Sequence, residues 1–271
     1  MQDSDIARRG LVLIGCGKMG SAMLAGWLAD GLPPQSVWVQ DPAPSDWVNA
    51  QGVHVNGTLP KDPAVVLLAV KPQMMGAALP GLVAMGGGGS LFLSVAAGTT
   101  IATLQDALGA AAPIVRAMPN TPVAIGRGIT AIVGNAQAGD AGLAVSETLL
   151  SAVGSVVRLD TEAQMDAVTG VSGSGPAYVF YMIEALAAAG EAEGLAPDLA
   201  MALARETVAG AGALALDAGR PPADLRVDVT SPNGTTQAGL GVLMEPDTGL
   251  APLIRKTVRA AAGRATELAN G

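Results

Sequence analysis

One cysteine and one histidine in 271 residues leave little room for thiol or metal chemistry. Cys16 has no partner for an internal disulfide. With His54 it makes no nitrogen–sulfur cluster for zinc, so no metal site is expected. Charge is also scarce: charged residues are 14% of the chain, and 15 Lys plus Arg face 23 Asp plus Glu, a net charge of −8. An acidic chain so poor in cations is expected to have no nucleic-acid partner. Long apolar runs are absent too. A stretch such as Ala64 to Val70 is far below the ~20 residues that span a bilayer, and Met1 to Arg9 has no apolar core of a secretory signal. The expectation is a cytoplasmic protein with no membrane partner. What is abundant is apolar content, at 50% of residues. That is more than one chain of this length hides, so self-association is expected.

The motif that organises the chain is Leu11 to Gly20, LVLIGCGKMG. Leu11-Val12-Leu13-Ile14 reads as a buried strand. Gly15-Cys16-Gly17-Lys18-Met19-Gly20 matches G-x-G-x-x-G, and the periodic stretch Ala22 to Leu28 reads as a helix that stops at Gly31. Strand, glycine turn and helix in this order form the dinucleotide fingerprint. Gly15 permits the tight turn, Gly17 lets a pyrophosphate approach the backbone, and Gly20 lets helix and strand pack closely. The anion would sit on the helix N-terminus. Cys16 reads as a small filler of the turn rather than a nucleophile.

Further strands are expected at Val37 to Gln40, Val53 to Val55, Ala64 to Val70, Leu91 to Val95, Ile114 to Ala117, Ile129 to Val133 and Val156 to Leu159. Helical segments fall at Leu59 to Asp62, Gln73 to Val83, Ile101 to Leu108 and Ala138 to Ala152. Apolar strands alternating with helices imply a largely parallel sheet covered on both faces. After Thr161 no strand is convincing. Helices are expected over Ala177 to Glu193, Pro197 to Gly219, after Ser231 to Thr236, and over Pro252 to Leu268, the last with Arg255, Lys256, Arg259 and Arg264 on a solvated face. The first turns of the Ala177 helix are apolar all round, which predicts burial. The fold class is therefore α/β: a Rossmann-type doubly wound sheet over 1–161, followed by an all-helical domain over 162–271.

Ligands of such sheets bind beyond the carboxyl ends of the strands. Three turns lie there besides the glycine loop: Lys71-Pro72, Ala96-Ala97-Gly98-Thr99-Thr100 and Met118-Pro119-Asn120-Thr121-Pro122. Two runs in the helical half, Gly170 to Pro176 and Thr230 to Thr236, are rich in glycine and hydroxyls and open helices. Such runs serve as caps or as anion nests. The second, with three hydroxyls, is favoured as an anion site.

The segments GCGKMG (Gly15 to Gly20), AVKPQ (Ala69 to Gln73), SVAAGTT (Ser94 to Thr100), RAMPNTP (Arg116 to Pro122), GVSGSGPAYVF (Gly170 to Phe180) and DVTSPNGTTQAGL (Asp228 to Leu240) resemble the pyrroline-5-carboxylate reductase family in order and spacing. The resemblance implies reduction of a cyclic imine to proline, the final step of proline biosynthesis, with NADPH or NADH as cofactor. It implies that the helical domain forms a homodimer, with higher assembly open, and that the site lies between the cofactor and the SPNGTT loop. Carried over by residue, the cofactor would meet Gly15, Cys16, Gly17, Lys18, Met19 and Gly20, then Asp41, then Ala69, Val70, Lys71 and Pro72, and finally Ala97 and Asn120. The substrate would meet Ser231, Asn233, Gly234, Thr235 and Thr236, with Thr236 as the catalytic group beside the ring nitrogen.

Two positions depart from the family pattern. Asn233 stands where the family shows glycine; asparagine is the other residue that tolerates positive φ, so the loop is expected to survive. Asp41 ends the second strand with no Lys or Arg until Lys61. An acid there suits a ribose 2′-hydroxyl and repels a 2′-phosphate. Two rival readings fit the residues less well. A β-hydroxyacid dehydrogenase would need a catalytic lysine where Val179 stands. A non-catalytic nicotinamide sensor would have no need of an intact SPNGTT loop.

Overall fold

The computed structural model describes residues 4–270. The chain divides into two compact units: Met1–Gly173 with Ala261–Gly271, and Ser174–Ala260.

The first unit is built on eight strands: β1 (Leu11–Ile14), β2 (Val37–Gln40), β3 (His54–Val55), β4 (Val65–Leu68), β5 (Leu91–Ser94), β6 (Ile114–Met118), β7 (Gly128–Gly134) and β8 (Gly154–Arg158). They form one sheet in the order β3-β2-β1-β4-β5-β6-β7-β8. Every neighbouring pair is parallel except β6 and β7. Around the sheet lie α1 (Asp5–Arg9), α2 (Lys18–Ala29), α3 (Asp46–Asn49), α4 (Pro72–Ala78), α5 (Ile101–Leu108), α6 (Gly139–Ser151) and α7 (Met165–Val168).

Side chains alternate between the two faces of the sheet, as strand geometry requires. Leu11, Leu13, Val65, Leu67 and Leu93 share one core with Met23, Leu24 and Trp27 of α2 and Leu149 of α6. Val12, Val66, Leu68 and Phe92 share the other with Met75 of α4 and Leu104 of α5. The buried Trp27 indole donates to the Leu149 carbonyl at 2.9 Å, which ties α2 to α6 and satisfies the one polar atom of the ring.

The eight expected strands are all present. The expected helix at Leu59 to Asp62 is not: that segment carries no helix. Pro60 lies inside the segment and Pro63 follows it, and a residue before proline is driven away from the α region. The short α1 and α3, capped by Ser4 and Ser45, had no periodic signal to announce them.

The two compact units divide after Gly173. Met165 is fully buried in the second core of the sheet, and Glu162 pairs with the buried Arg116 of β6 at 2.8 Å. The residues after 161 thus belong by packing to the sheet. Within the run Gly170 to Pro176, residues through Gly173 continue α7 as a π-turn over Thr169–Gly173, and Ser174 with Gly175 and Pro176 opens the next helix as expected. The final turns of α12 also belong to the first unit, where the Thr266 hydroxyl donates to Asp166 at 2.7 Å.

The second unit holds α8 (Gly175–Ala192), α9 (Pro197–Asp217), α10 (Pro222–Asp228), α11 (Thr235–Leu243) and the first turns of α12 (Leu250–Asn270). Its own core is only Ala187, Ala200 and Ala204, with Ile183 and Met201 against them. The start of α8 is not buried within the chain as expected: Phe180 is 58% and Tyr181 71% exposed. An apolar face with so little to cover it belongs to a helix that needs a partner. Helix α9 is long and apolar enough to cross a membrane by length and composition, contrary to the expectation from unbroken runs. Alanine raises its mean hydropathy. Arg205 and Glu206 stand near its middle, where an arginine costs about 2.5–3.5 kcal/mol in a bilayer.

Candidate active site

The carboxyl ends of β1, β4, β5 and β6 face one edge of the sheet. Strand order reverses between β1 and β4, and this is the crevice where doubly wound sheets take their ligands.

At the end of β1 each glycine of the loop has a measurable reason. Gly15 sits at φ +86°, and a Cβ there would lie 2.8 Å from Val70 and 2.9 Å from the Ala69 carbonyl. A Cβ on Gly20 would lie 2.5 Å from the Gly15 carbonyl, so only glycine lets α2 approach the loop. A Cβ on Gly17 would meet nothing within 4 Å. Gly17 caps α2 and opens outward at the helix N-terminus, leaving the space a pyrophosphate needs. Lys18 is exposed and Met19 half-buried on the first turn. These residues fit a dinucleotide.

The other loops fall at the same edge. Ala69 donates its N–H to Ile14, and with Val70 it packs beneath the glycine turn. Lys71 caps α4, Pro72 opens that helix, and both are exposed. Ala97 is exposed in the turn after β5. Asn120 is 9% exposed, and its side-chain oxygen accepts the Ile129 N–H at 3.0 Å, so it also braces β6 against β7. His54 is not brought to this edge: it stacks on Trp38 and bonds the Gln35 carbonyl at 3.0 Å.

Asp41 lies beside the glycine loop. Its carboxylate accepts the Cys16 N–H at 2.6 Å and the Ala43 N–H at 2.8 Å. Burial pushes the Cys16 thiol up to about 11, and the Asp41 charge adds to the effect. At pH 8 the thiolate fraction is then about one in a thousand, and the side chain is 6% exposed. Iodoacetamide at pH 8 is expected to leave Cys16 unmodified in native protein and to label it in urea, as read by mass spectrometry. Rapid labelling of the folded protein would contradict this.

The SPNGTT loop belongs to the second unit. Asn233 adopts φ +59°, as its replacement of glycine requires. A Cβ on Gly234 would lie 2.4 Å from the Ser231 hydroxyl, so glycine at 234 is what lets that hydroxyl fold over the turn. Gly234 caps α11, and Thr235 and Thr236 occupy its first turn. Ser231, Thr235 and Thr236 are all exposed. The Asn233 N–H is already taken: Gln237 reaches back to accept it at 2.6 Å. Gln237 was not singled out from the sequence, although glutamine three residues after a cap is a recognisable helix-start signal. The ion pair of Arg116 and Glu162 was also missed. Glu162 further accepts the Ile101 N–H at the start of α5, which gives a buried arginine and a helix terminus one shared partner.

A doubly wound sheet with an open glycine loop, joined to a helical unit bearing a hydroxyl-rich helix start, defines a nicotinamide-dinucleotide-dependent oxidoreductase of two-domain plan. The NADP oxidoreductase, coenzyme F420-dependent, profile matches residues 10–98, and the pyrroline-5-carboxylate reductase dimerisation profile matches 162–268. A Pseudomonas aeruginosa pyrroline-5-carboxylate reductase is 39% identical over 265 residues, covering 96% of both chains. The solved pyrroline-5-carboxylate reductase of Coxiella burnetii has a TM-score of 0.89 at 34% identity, covering 96% of this chain and 98% of that one. The Plasmodium falciparum pyrroline carboxylate reductase with NADP bound has a TM-score of 0.82 at 25% identity, covering 97% and 99%. The chain belongs to the pyrroline-5-carboxylate reductase family.

Proposed function

We propose that this protein reduces 1-pyrroline-5-carboxylate to L-proline, the closing step of proline biosynthesis. The observation that carries the reading is a glycine loop open at Gly17 in a chain that also bears an SPNGTT helix start with exposed hydroxyls. A reduced nicotinamide supplies the hydride when bound. The imine carbon would gain that hydride while the ring nitrogen holds one proton. This chain's residues therefore orient the ring, hold its carboxylate and place a hydroxyl at the nitrogen. The Ser231 hydroxyl and the N–H groups of Thr235 and Thr236 hold the carboxylate, and Thr236 meets the nitrogen; the Gly234 N–H instead closes the turn on the Ser231 carbonyl at 3.1 Å. Loss of NADPH or NADH absorbance on adding 1-pyrroline-5-carboxylate, with proline formed in equal amount, tests the reading. Oxidation of neither cofactor would overturn it.

The helical unit joins two copies, and further assembly of dimers is compatible with the apolar surface that remains. The enzyme acts in the cytoplasm, without membrane or nucleic-acid partner. Asp41 turns the cofactor choice toward NADH, because a carboxylate beside a 2′-phosphate is repulsive at short range. Asp41 takes part in no ion pair among the described residues. Asp41→Ser is expected to shift the NADPH-to-NADH ratio of kcat/KM in favour of NADPH by about tenfold, the effect of ~1.4 kcal/mol of relieved repulsion. An unchanged ratio would remove Asp41 from the ribose.

A further inference from the structure

The sequence holds three Asn-Gly steps, at 56–57, 233–234 and 270–271. Asparagine is a labile residue, and most so before glycine, which sets no side chain in the way of its own nitrogen. That backbone nitrogen, deprotonated, attacks the asparagine Cγ. An N–Cγ bond forms, the Cγ–Nδ2 bond breaks, and ammonia leaves a succinimide ring. Water then adds to either carbonyl of the ring and yields aspartate or isoaspartate. At 233–234 the turn imposes both residues of the step. Position 233 lies at φ +59°, which glycine and asparagine tolerate best. Position 234 has no room for a Cβ beside the Ser231 hydroxyl.

The steps at 56 and 233 form a matched pair. Both asparagines are exposed and left-handed, Asn56 at φ +51°. What differs is the hold on the carboxamide. That of Asn56 accepts the Asp41 N–H at 3.0 Å and donates to the Asp41 carbonyl at 2.9 Å, so its Cγ reaches the next nitrogen only by breaking both bonds. The Asn233 carboxamide makes no hydrogen bond among the described residues; its backbone N–H alone is engaged, by Gln237 at 2.6 Å. One bond guards the attacking nitrogen, from the Gly234 N–H to the Ser231 carbonyl at 3.1 Å. A single bond in an exposed turn opens by local fluctuation.

We propose that Asn233 is a self-modification site: its deamidation puts a carboxylate into the substrate loop and turns substrate away. The new charge stands one residue before the cap of α11, where helix-start N–H groups and the dipole favour an anion. It competes for the donors of Thr235 and Thr236 and repels a substrate carboxylate. Isoaspartate also lengthens the main chain by a methylene and breaks the turn from Ser231 to Gly234. The effect on binding rests on the reading of this loop as the seat of the substrate carboxylate; the chemistry of the step does not.

The test ages the full chain in warm, mildly alkaline buffer as wild type, Asn233→Gly and Asn233→Asp. Peptide mapping by mass spectrometry, with digestion in acid, follows each asparagine, and anion exchange separates the modified form for kinetics. The expected result is exchange of NH2 for OH at Asn233 while Asn56 in the same samples stays intact. The modified form should show a KM for 1-pyrroline-5-carboxylate raised by about tenfold or more, the scale of one like charge at short range, with the cofactor KM unchanged. Asn233→Asp should show the same rise without ageing, its melting temperature showing a folded protein. Asn233→Gly should keep its own starting KM throughout. Asn233 left intact, or converted no faster than Asn56, overturns the proposal. If Asn233→Asp raises KM and ageing leaves Asn233 intact, the modification is wrong and the carboxylate reading of the loop stands. If Asn233 converts, and both the modified form and Asn233→Asp keep the unaged KM, the carboxylate reading is wrong and the loss of substrate binding falls with it.

Discussion

Thr236→Ala is expected to lower kcat by about 10- to 1000-fold, the scale of one lost proton-transfer or hydrogen-bonding partner at the reacting centre. Thr236 stands on the first turn of α11, four residues after Pro232, and is exposed. Threonines deeper in helices here turn their hydroxyls back on the chain, as Thr257 does onto Leu253 at 3.0 Å and Thr148 onto Ala144 at 3.0 Å. No hydrogen bond of this kind engages the Thr236 hydroxyl among the described residues, so it remains available to a ligand. The imine nitrogen is the group that most needs such a partner, because its proton makes the carbon electrophilic. Ser231→Ala should instead raise KM with little change in kcat, since a carboxylate is held equally in ground and transition states. Thr236→Ser should recover most of the lost rate. A Thr236→Ala enzyme with wild-type kcat would remove Thr236 from the chemistry and leave solvent as the proton source.

Val179→Asp or Ile183→Asp is expected to abolish assembly and, with it, most activity. The second unit buries three alanines as its own core, while Val179, Phe180, Tyr181, Met182 and Leu186 remain exposed along α8. A unit with so small a core owes its stability to what covers that face. An unpaired carboxylate inside such an interface costs several kcal/mol. The dimer Kd should then rise by at least about 1000-fold, each 1.4 kcal/mol being tenfold. Sedimentation velocity would show monomer or aggregate in place of the wild-type oligomer. An unchanged, fully active oligomer would place the interface elsewhere.

The strands, the glycine loop and the four longest helices of the second half were legible because local chemistry dictates them. Apolar runs of strand length, glycine at fixed offsets and proline at helix starts act within a few residues of themselves. The short α1 and α3 escaped because four or five residues give no period to read. The supposed helix at 59–62 failed because two prolines outweighed composition. The change of pattern near 161 does not reveal how far packing carries on: residues past the last strand still fill the core of the sheet through Met165.

By itself the sequence determined the class of fold, the dinucleotide loop and the family, since these rest on residue types in order along the chain. It also marked Asp41 and Asn233 as the positions that depart from the family. Only the tertiary structure decided what holds them. Asn56 lies 15 residues from Asp41, and no period links the two; they meet because β2 and β3 run parallel and the ladder ends where Asn56 turns left-handed. Glu162 likewise meets Arg116 across 46 residues. Hydrogen bonds of this reach follow from strand order and register, which are properties of the whole sheet and are written in no single stretch of the chain.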